Sequence, residues 1–154
     1  MSEHRAELSW RRDTAAFDYD SFDRRHRIAF EDGRVALEGD AAADYGGQGG
    51  AGVDPEALFA ASLGACHMLS FLAVAARMRI VVDAYADAAV AIVEKGADGR
   101  LAVTRVVLQP RATFAAEVDP AKLRQMHELA HRNCFVANAV KAAITVEPQF
   151  DAPA

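Results

Sequence analysis

The chain has 154 residues, of which 52% are hydrophobic and 25% charged, so it has the size and composition of one ordinary globular domain. Its net charge is -5 and its basic residues are dispersed, which argues against a nucleic-acid surface. The first residues lack the apolar segment of a signal peptide, so we expect a cytoplasmic protein, where structural disulfides are rare. The two cysteines, Cys66 and Cys134, are therefore candidates for redox chemistry.

The first third of the chain is predicted to form short strands at 5–12, 24–30 and 34–37, the last two joined by an Asp-Gly turn. A glycine-rich stretch follows at 44–52. It lacks the lysine and hydroxyl residue of a phosphate-binding loop, so we interpret it as a connector.

Alternation along the second predicted strand separates its basic residues. Ile28 and Phe30 are expected to face the core, which places Arg24 and His26 on the same inward face and Arg27 toward solvent. An inward arginine needs an anion, because an unpaired buried charge is unfavourable.

A stretch without formal charge at 57–76 predicts a long central helix that begins at Pro55, with Asp54 as its N-cap, and ends near 77–79. Its length would suffice for a bilayer of about 30 Å. Its many small residues and the surrounding strand and helix patterns instead favour a helix buried on every side, by sheet or by a second copy of the chain. We therefore expect no membrane partner.

The rest of the chain is predicted to form two long strands, two helices and a closing strand, at 81–94, 100–114, 120–132, 134–143 and 144–146. The two long strands are expected to form one antiparallel pair. This order predicts an α+β fold, and the length predicts a single domain over 1–154.

Cys66 lies in the middle of the apolar helix, where a cysteine often serves as a small, unreactive hydrophobic residue. A reactive thiolate there needs a cation from elsewhere in the fold, and Arg24, with Glu56 as its carboxylate partner, is a candidate. Glu56 and Cys66 are ten positions apart, or about 15 Å along a straight helix and about 80° around it. Either the helix bends, or a second copy of the chain completes the site.

Cys134 is expected at the start of the shorter helix, where backbone amides favour a thiolate. From there it could attack a sulfenic acid on Cys66 and form a disulfide. The alternative is a buried small residue without a chemical role.

The segment 127–131 reads His-Glu-Leu-Ala-His, which matches the zinc-protease pattern of two histidines one turn apart. No histidine follows it to complete the ligand set, and two of the five residues in the match are common in helices. We therefore expect no metal site and interpret His127 and His131 as a polar helix face or as groups that flank the site.

Residues 54–72, centred on Cys66, resemble the central-helix signature of the OsmC/Ohr family of thiol peroxidases, and residues 130–138 resemble its second-cysteine motif. The resemblance implies an α+β intertwined homodimer with antiparallel sheets around a long buried central helix. It also implies a cysteine-dependent hydroperoxide reductase acting on organic hydroperoxides, reduced in turn by a dithiol or a lipoylated protein. No cofactor is expected.

By the same resemblance Cys66 is the peroxidatic cysteine, Cys134 the resolving cysteine, and Glu56 the acid that orients an arginine. The arginine is matched to Arg24, with Arg27 as the next choice. The alternative is an OsmC-like redox-sensing or ligand-binding protein without rapid peroxide turnover.

Overall fold

The computed structural model describes residues 1–50 and 52–149. Contacts within the chain divide it into two compact units, Met1–Leu58 and Phe59–Ala154. In the described part, the helices and strands are β1 (Ala6–Ser9), β2 (His26–Phe30), β3 (Val35–Gly39), α1 (Pro55–Arg77), β4 (Val82–Asp87), β5 (Val90–Lys95), β6 (Leu101–Leu108), β7 (Pro110–Phe114), α2 (Pro120–Asn133) and β8 (Ala143–Val146). The α+β class with antiparallel sheets and a long helix is confirmed, and one domain over 1–154 stays a prediction.

The first unit is built on an antiparallel sheet in the order β1-β2-β3. Its central strand buries Ile28 and Ala29. The predicted alternation holds at the start of that strand, where Arg24 and His26 are half-buried and Arg27 is exposed. All three strands differ in extent from their predicted ranges, and β1 in particular has four residues where eight were expected.

The turn between β2 and β3 needs its glycine. Glu31–Gly33 forms one turn of 3-10 helix in which Asp32 has φ 54° and Gly33 has φ 86°. These are left-handed conformations that glycine adopts without steric strain and aspartate tolerates. The Asp-Gly signal in the sequence therefore marks the observed reversal of the chain.

Helix α1 begins and ends where the sequence predicts. Asp54 Oδ1 accepts a hydrogen bond from the Ala57 amide at 2.7 Å, as an N-cap does. Beyond the last turn Arg79 has φ 59°, and the Ile80 amide donates to the Ala75 carbonyl at 2.9 Å. A left-handed residue with this back-bonding pattern closes a helix, so α1 is capped at both ends.

The second unit has two sheets, one pairing β4 with β7 and one in the order β5-β6-β8. The β6-β8 pair is parallel and the other pairs are antiparallel. The predicted pair of two uninterrupted strands is wrong, because each strand is divided into two. Gln109 donates its amide to the Asp87 carboxylate at 2.7 Å, and Pro110 has no amide to donate, so the hydrogen-bond ladder is interrupted there.

Two hydrophobic clusters hold α1 in the second unit. Toward its C-terminal end, Phe71, Val74 and Ala75 pack against three residues of α2, namely Leu123, Met126 and Ala130. Nearer its N-terminal end, two residues, Ala60 and Leu63, pack against Val106 and Leu108 of β6. One face of α1 is therefore the centre of this unit's core.

The other face of α1 is exposed in the single chain, so the expectation of a helix buried on every side is not met by one copy alone. Exposed positions include Ala61, Ala65, Leu69 and Ala73. By length and composition α1 is the one helix of the described residues that could cross a membrane. The core helix of a soluble protein meets the same criteria, so this is weak evidence for a membrane span.

Candidate active site

Cys66 lies on α1 at the edge of an open cavity of about 510 Å³. Its side chain is half-buried and its thiol is free. The cavity is lined by Cys66, Leu69, Ser70, Ala73, Val74, Arg77, Arg132, Asn133, Phe135 and Asn138. The thiol is thus accessible to a small molecule in a pocket that is partly apolar and partly basic.

Cys134 follows α2 directly and is only 1% exposed. Its backbone amide donates to the His131 carbonyl at 3.2 Å, and its sulfur accepts a hydrogen bond from the Ala137 amide at 3.4 Å. Burial, followed by the hydrogen bond to Cys66, raises the pKa of the Cys134 thiol to about 11. The fold therefore brings the two cysteines together as neighbouring free thiols, one accessible and one enclosed.

The predicted helix at 134–143 is not formed, and this changes the environment expected for Cys134. Cys134 has an extended conformation (φ -74°, ψ 110°), and the next segment is a single 3-10 turn, Ala137–Ala139. The backbone amides of Ala137 and Val136 favour the Cys134 thiolate, but a single turn carries little of the dipole of a full helix. Burial outweighs these hydrogen bonds, so the expected stabilisation of a Cys134 thiolate is not found.

Arg24 is fixed in the first unit by backbone and aromatic contacts. Its guanidinium donates to the Tyr19 carbonyl at 2.7 Å and to the Phe22 carbonyl at 3.2 Å, and lies 4.2 Å from the centre of the Phe22 ring. Gly46, with φ 86°, packs against it so closely that a Cβ would lie 2.6 Å from the guanidinium carbon. The arginine is held in one place by groups that leave its charge unneutralised.

Arg24 and Glu56 line the same cavity of about 590 Å³ in the first unit. The aromatic rings of Trp10, Phe17 and Phe22 form part of its wall. The two charged groups make no ion pair with each other, in contrast to the pairing expected from the sequence. Arg27 does not line this cavity, which favours Arg24 over Arg27 as the partner of Glu56.

One histidine of the His-Glu-Leu-Ala-His segment, His127, has a structural role that the sequence did not reveal. His127 is 5% exposed and lies edge to edge with His67 of α1, with Nδ1 of His127 and Nε2 of His67 at a hydrogen-bonding distance of 3.1 Å and the two rings nearly coplanar. Burial lowers the pKa of His67 and of His127 to about 4. Within 1–50 and 52–149 no cluster of three or more ligating side chains could hold a metal ion.

Two arginines that were not among the predicted site residues, Arg77 and Arg132, line the Cys66 cavity. The sequence spacing could have indicated Arg77, because it lies eleven positions after Cys66 and eleven positions return a helix to almost the same face.

A family model described as OsmC-like protein matches residues 46–149. Among solved structures, an OsmC-like protein of unknown function from Vibrio cholerae is similar to the chain with a TM-score of 0.87 and 38% sequence identity, covering 97% of this chain and 100% of that chain. No curated protein matches the chain.

Two more distant structures carry the name organic hydroperoxide resistance protein. One from Elizabethkingia anophelis has a TM-score of 0.74 and 20% identity, covering 96% of this chain and 94% of that chain. OhrB of Bacillus subtilis has a TM-score of 0.73 and 20% identity, covering 96% and 98%. At this identity they show the fold alone, whereas the family-model match and the 38% identical structure establish that the chain belongs to the OsmC-like family.

Proposed function

We propose that the chain is a cysteine-dependent reductase of organic hydroperoxides, in which Cys66 reacts with the peroxide and Cys134 resolves the product. The observation that carries the proposal is the pairing of an accessible thiol in a cavity with a buried neighbouring thiol. Relatives named as organic hydroperoxide resistance proteins share the fold and support the choice of substrate.

The proposed cycle has three steps. The Cys66 thiolate attacks the terminal oxygen of the hydroperoxide, the O–O bond breaks, and a sulfenic acid and an alkoxide form; the alkoxide takes up a proton and leaves as an alcohol. Cys134 then attacks the sulfenic sulfur, releasing water and forming a disulfide. A dithiol or a lipoylated protein supplies the two electrons and two protons that restore both thiols.

Arg24 and Glu56 are proposed to stabilise the thiolate and the departing alkoxide. A guanidinium can do both, because it attracts a thiolate and donates hydrogen bonds to developing negative charge. Arg24 and Glu56 line one cavity, which supports their acting together. Cys66 does not line that cavity, so we propose that a second copy of the chain completes the site. Within the described residues Arg24 forms no ion pair with a carboxylate, so its charge is available for a ligand.

We also propose that the functional form is a homodimer. The family resemblance implies it, and the exposed face of α1 supports it, since Ala57, Ala61 and Ala65 are all exposed one turn apart. Small residues of this kind let another backbone approach closely. Sedimentation at micromolar concentration would measure the mass, and a monomer there would contradict the dimer.

The test of the enzymatic function is a single-turnover reaction of the reduced protein with an alkyl hydroperoxide. We expect Cys66 to react far faster than free cysteine, Cys66→Ser to be inactive, and Cys134→Ser to accumulate a sulfenic acid on Cys66 that a dimedone probe captures. If the wild-type thiol reacts no faster than free cysteine, the reductase proposal is wrong.

The raised pKa of Cys134 favours one alternative, a redox-sensing protein that forms its disulfide slowly. The thiolate is the attacking species, so below a pKa of about 11 the rate of disulfide formation should rise about tenfold per pH unit. Stopped-flow measurement after a peroxide pulse gives this rate. Fast resolution at pH 7 without such a rise would show that Cys134 is deprotonated by another group.

A further inference from the structure

Asp40 is a buried carboxylate of the first unit that the proposed cycle does not use. It directly follows β3 and is 2% exposed. Its Oδ1 accepts a hydrogen bond from the Ala41 amide at 2.8 Å, and its Oδ2 accepts one from the Gln48 amide at 2.9 Å. Asp40 forms no ion pair within the described residues. A buried carboxylate is costly unless its oxygens are hydrogen-bonded, and here backbone amides bind both of them.

The two hydrogen bonds of Asp40 close the loop 41–48. Ala41 is the first residue of this loop and Gln48 the last, so one side chain binds both ends. The other hydrogen bonds that the structure shows within the loop are backbone bonds between residues 42 and 47. Those bonds shape a turn but do not attach it to the strand before it. The carboxylate of Asp40 therefore fixes the loop to the end of β3.

The loop 41–48 contacts Arg24 through Gly46. Gly46 has φ 86°, and a Cβ there would lie 2.6 Å from the guanidinium carbon of Arg24 and 2.9 Å from its Nε. Even a methyl group would displace the guanidinium, so the glycine backbone packs directly against it. The carbonyls of Tyr19 and Phe22 hold the same guanidinium from a second loop. Arg24 is thus held by two loops, and Asp40 fixes one of them.

We propose that Asp40 is a positioning residue, which holds the loop 41–48 so that Gly46 keeps the Arg24 guanidinium in place for the reaction at Cys66. An arginine side chain has many rotamers, and a charge aids a reaction only while it stays where charge develops. A carboxylate suits this task better than an amide, because both of its oxygens accept, whereas asparagine would turn an NH₂ group toward one of the two backbone amides. The kinetic half of this proposal rests on the proposed function, and the positional half does not.

The positional half is tested with Asp40→Asn and needs no peroxide chemistry. The Arg24 guanidinium lies 4.2 Å from the centre of the Phe22 ring, so the ring current should shift its Hε resonance upfield in the NMR spectrum of the wild type. We expect this shift to shrink in Asp40→Asn, and the Gln48 amide to exchange with solvent about tenfold faster, because its hydrogen bond is lost. An unchanged Arg24 resonance in the folded variant would overturn the proposal.

Asp119→Asn is the matched control, because Asp119 also accepts hydrogen bonds from two backbone amides but lies in the second unit, at the start of α2. It should leave the Arg24 resonance unchanged. An equal change there would overturn the proposal, since any loss of a carboxylate would then move the arginine. Gly46→Ala gives a second test if Asp40→Asn does not fold, because it keeps Asp40 and displaces the guanidinium directly. An Arg24 resonance that stays in place in Gly46→Ala would show that the loop does not position Arg24.

The kinetic half is tested by a double-mutant cycle on the rate constant for the reaction of Cys66 with an alkyl hydroperoxide. Asp40→Asn should lower this rate constant about tenfold in the wild type and should cause no further loss in Arg24→Gln, because its effect passes through that guanidinium. Equal losses in both backgrounds, or no loss in the wild type, would overturn the kinetic half. If the wild type reduces no hydroperoxide, the proposed function fails, and the Arg24 resonance still decides whether Asp40 positions the arginine.

Discussion

Cys66 and His67 are adjacent in the sequence, yet α1 places them in opposite chemical environments. Cys66 lies on the face that opens into a cavity whose lining includes two arginines and no carboxylate. His67 lies on the packed face, 1% exposed, where its only side-chain hydrogen-bonding neighbour in the described chain is another buried histidine. Rotation by about 100° per residue separates a reactive position from a structural one, so burial decides what each side chain can do.

The largest expected effect of this difference is on stability. Phe71 is fully buried on the packed face and stacks on His127 with ring centres 4.4 Å apart. Phe71→Ala should lower the free energy of unfolding by about 3–5 kcal/mol, since it leaves a cavity in the core. Cys66→Ser, on the open face, should cost about 1 kcal/mol or less while removing peroxide reactivity. Urea unfolding compares the two, and equal losses would contradict the assignment of the faces.

The buried histidines predict a loss of stability in acid. Burial holds the pKa of His67 and of His127 at about 4, whereas the unfolded chain binds these protons near pH 6.5. The unfolded state therefore gains protons first, and the free energy of unfolding should fall by about 2–4 kcal/mol as the pH drops from 6.5 to 4. Above about pH 7.5, where these histidines are neutral in the unfolded chain as well, they should contribute no further change.

Urea titrations at several pH values measure this slope. His127→Gln should reduce it, because a glutamine cannot take up a proton, whereas His4→Gln, at an exposed position, should leave it unchanged. A wild-type slope that matches the His127→Gln slope would show that the buried pair does not titrate in this range.

The smallest effect concerns a glycine inside α1. Gly64 is buried, but a Cβ there would meet Ala89 and Asp87 at 3.5 and 3.6 Å, which is ordinary contact. Gly64→Ala should therefore raise the free energy of unfolding by up to about 1 kcal/mol through helix propensity, and the melting temperature should rise with it. Gly39→Ala is the contrasting control, because a Cβ at Gly39 would collide with the His26 imidazole and should destabilise the protein.

Local sequence patterns correctly predicted where a helix begins and where the chain turns, at positions where a single residue type has one well-defined physical role. Asp54 and the proline after it predicted the start of α1, and the Asp-Gly pair predicted the turn before β3. The division of the long strands was missed, because it depends on Gln109 donating to a distant carboxylate, Asp87. Contacts between residues far apart in the chain leave no local pattern to read.

The candidate site was predicted less completely than the fold. Resemblance named Cys66 and Cys134, and the fold brings their thiols together. The expected ion pair of Arg24 with Glu56 is absent, because backbone carbonyls of a local loop bind the guanidinium instead. The predicted environment of Cys134 was wrong, because a helix was expected where a single 3-10 turn is formed.

The near-complete enclosure of the Cys134 sulfur gives the proposed redox cycle a direction. An incoming reductant thiol can approach a Cys66–Cys134 disulfide through the cavity on the Cys66 side, while Cys134 is only 1% exposed. Exchange requires the attacking sulfur to reach its target, so the mixed disulfide should form on Cys66 and release Cys134. The oxidant and the reductant would thus both react at the Cys66 sulfur. They would enter through the same opening, so only one of them could occupy it at a time.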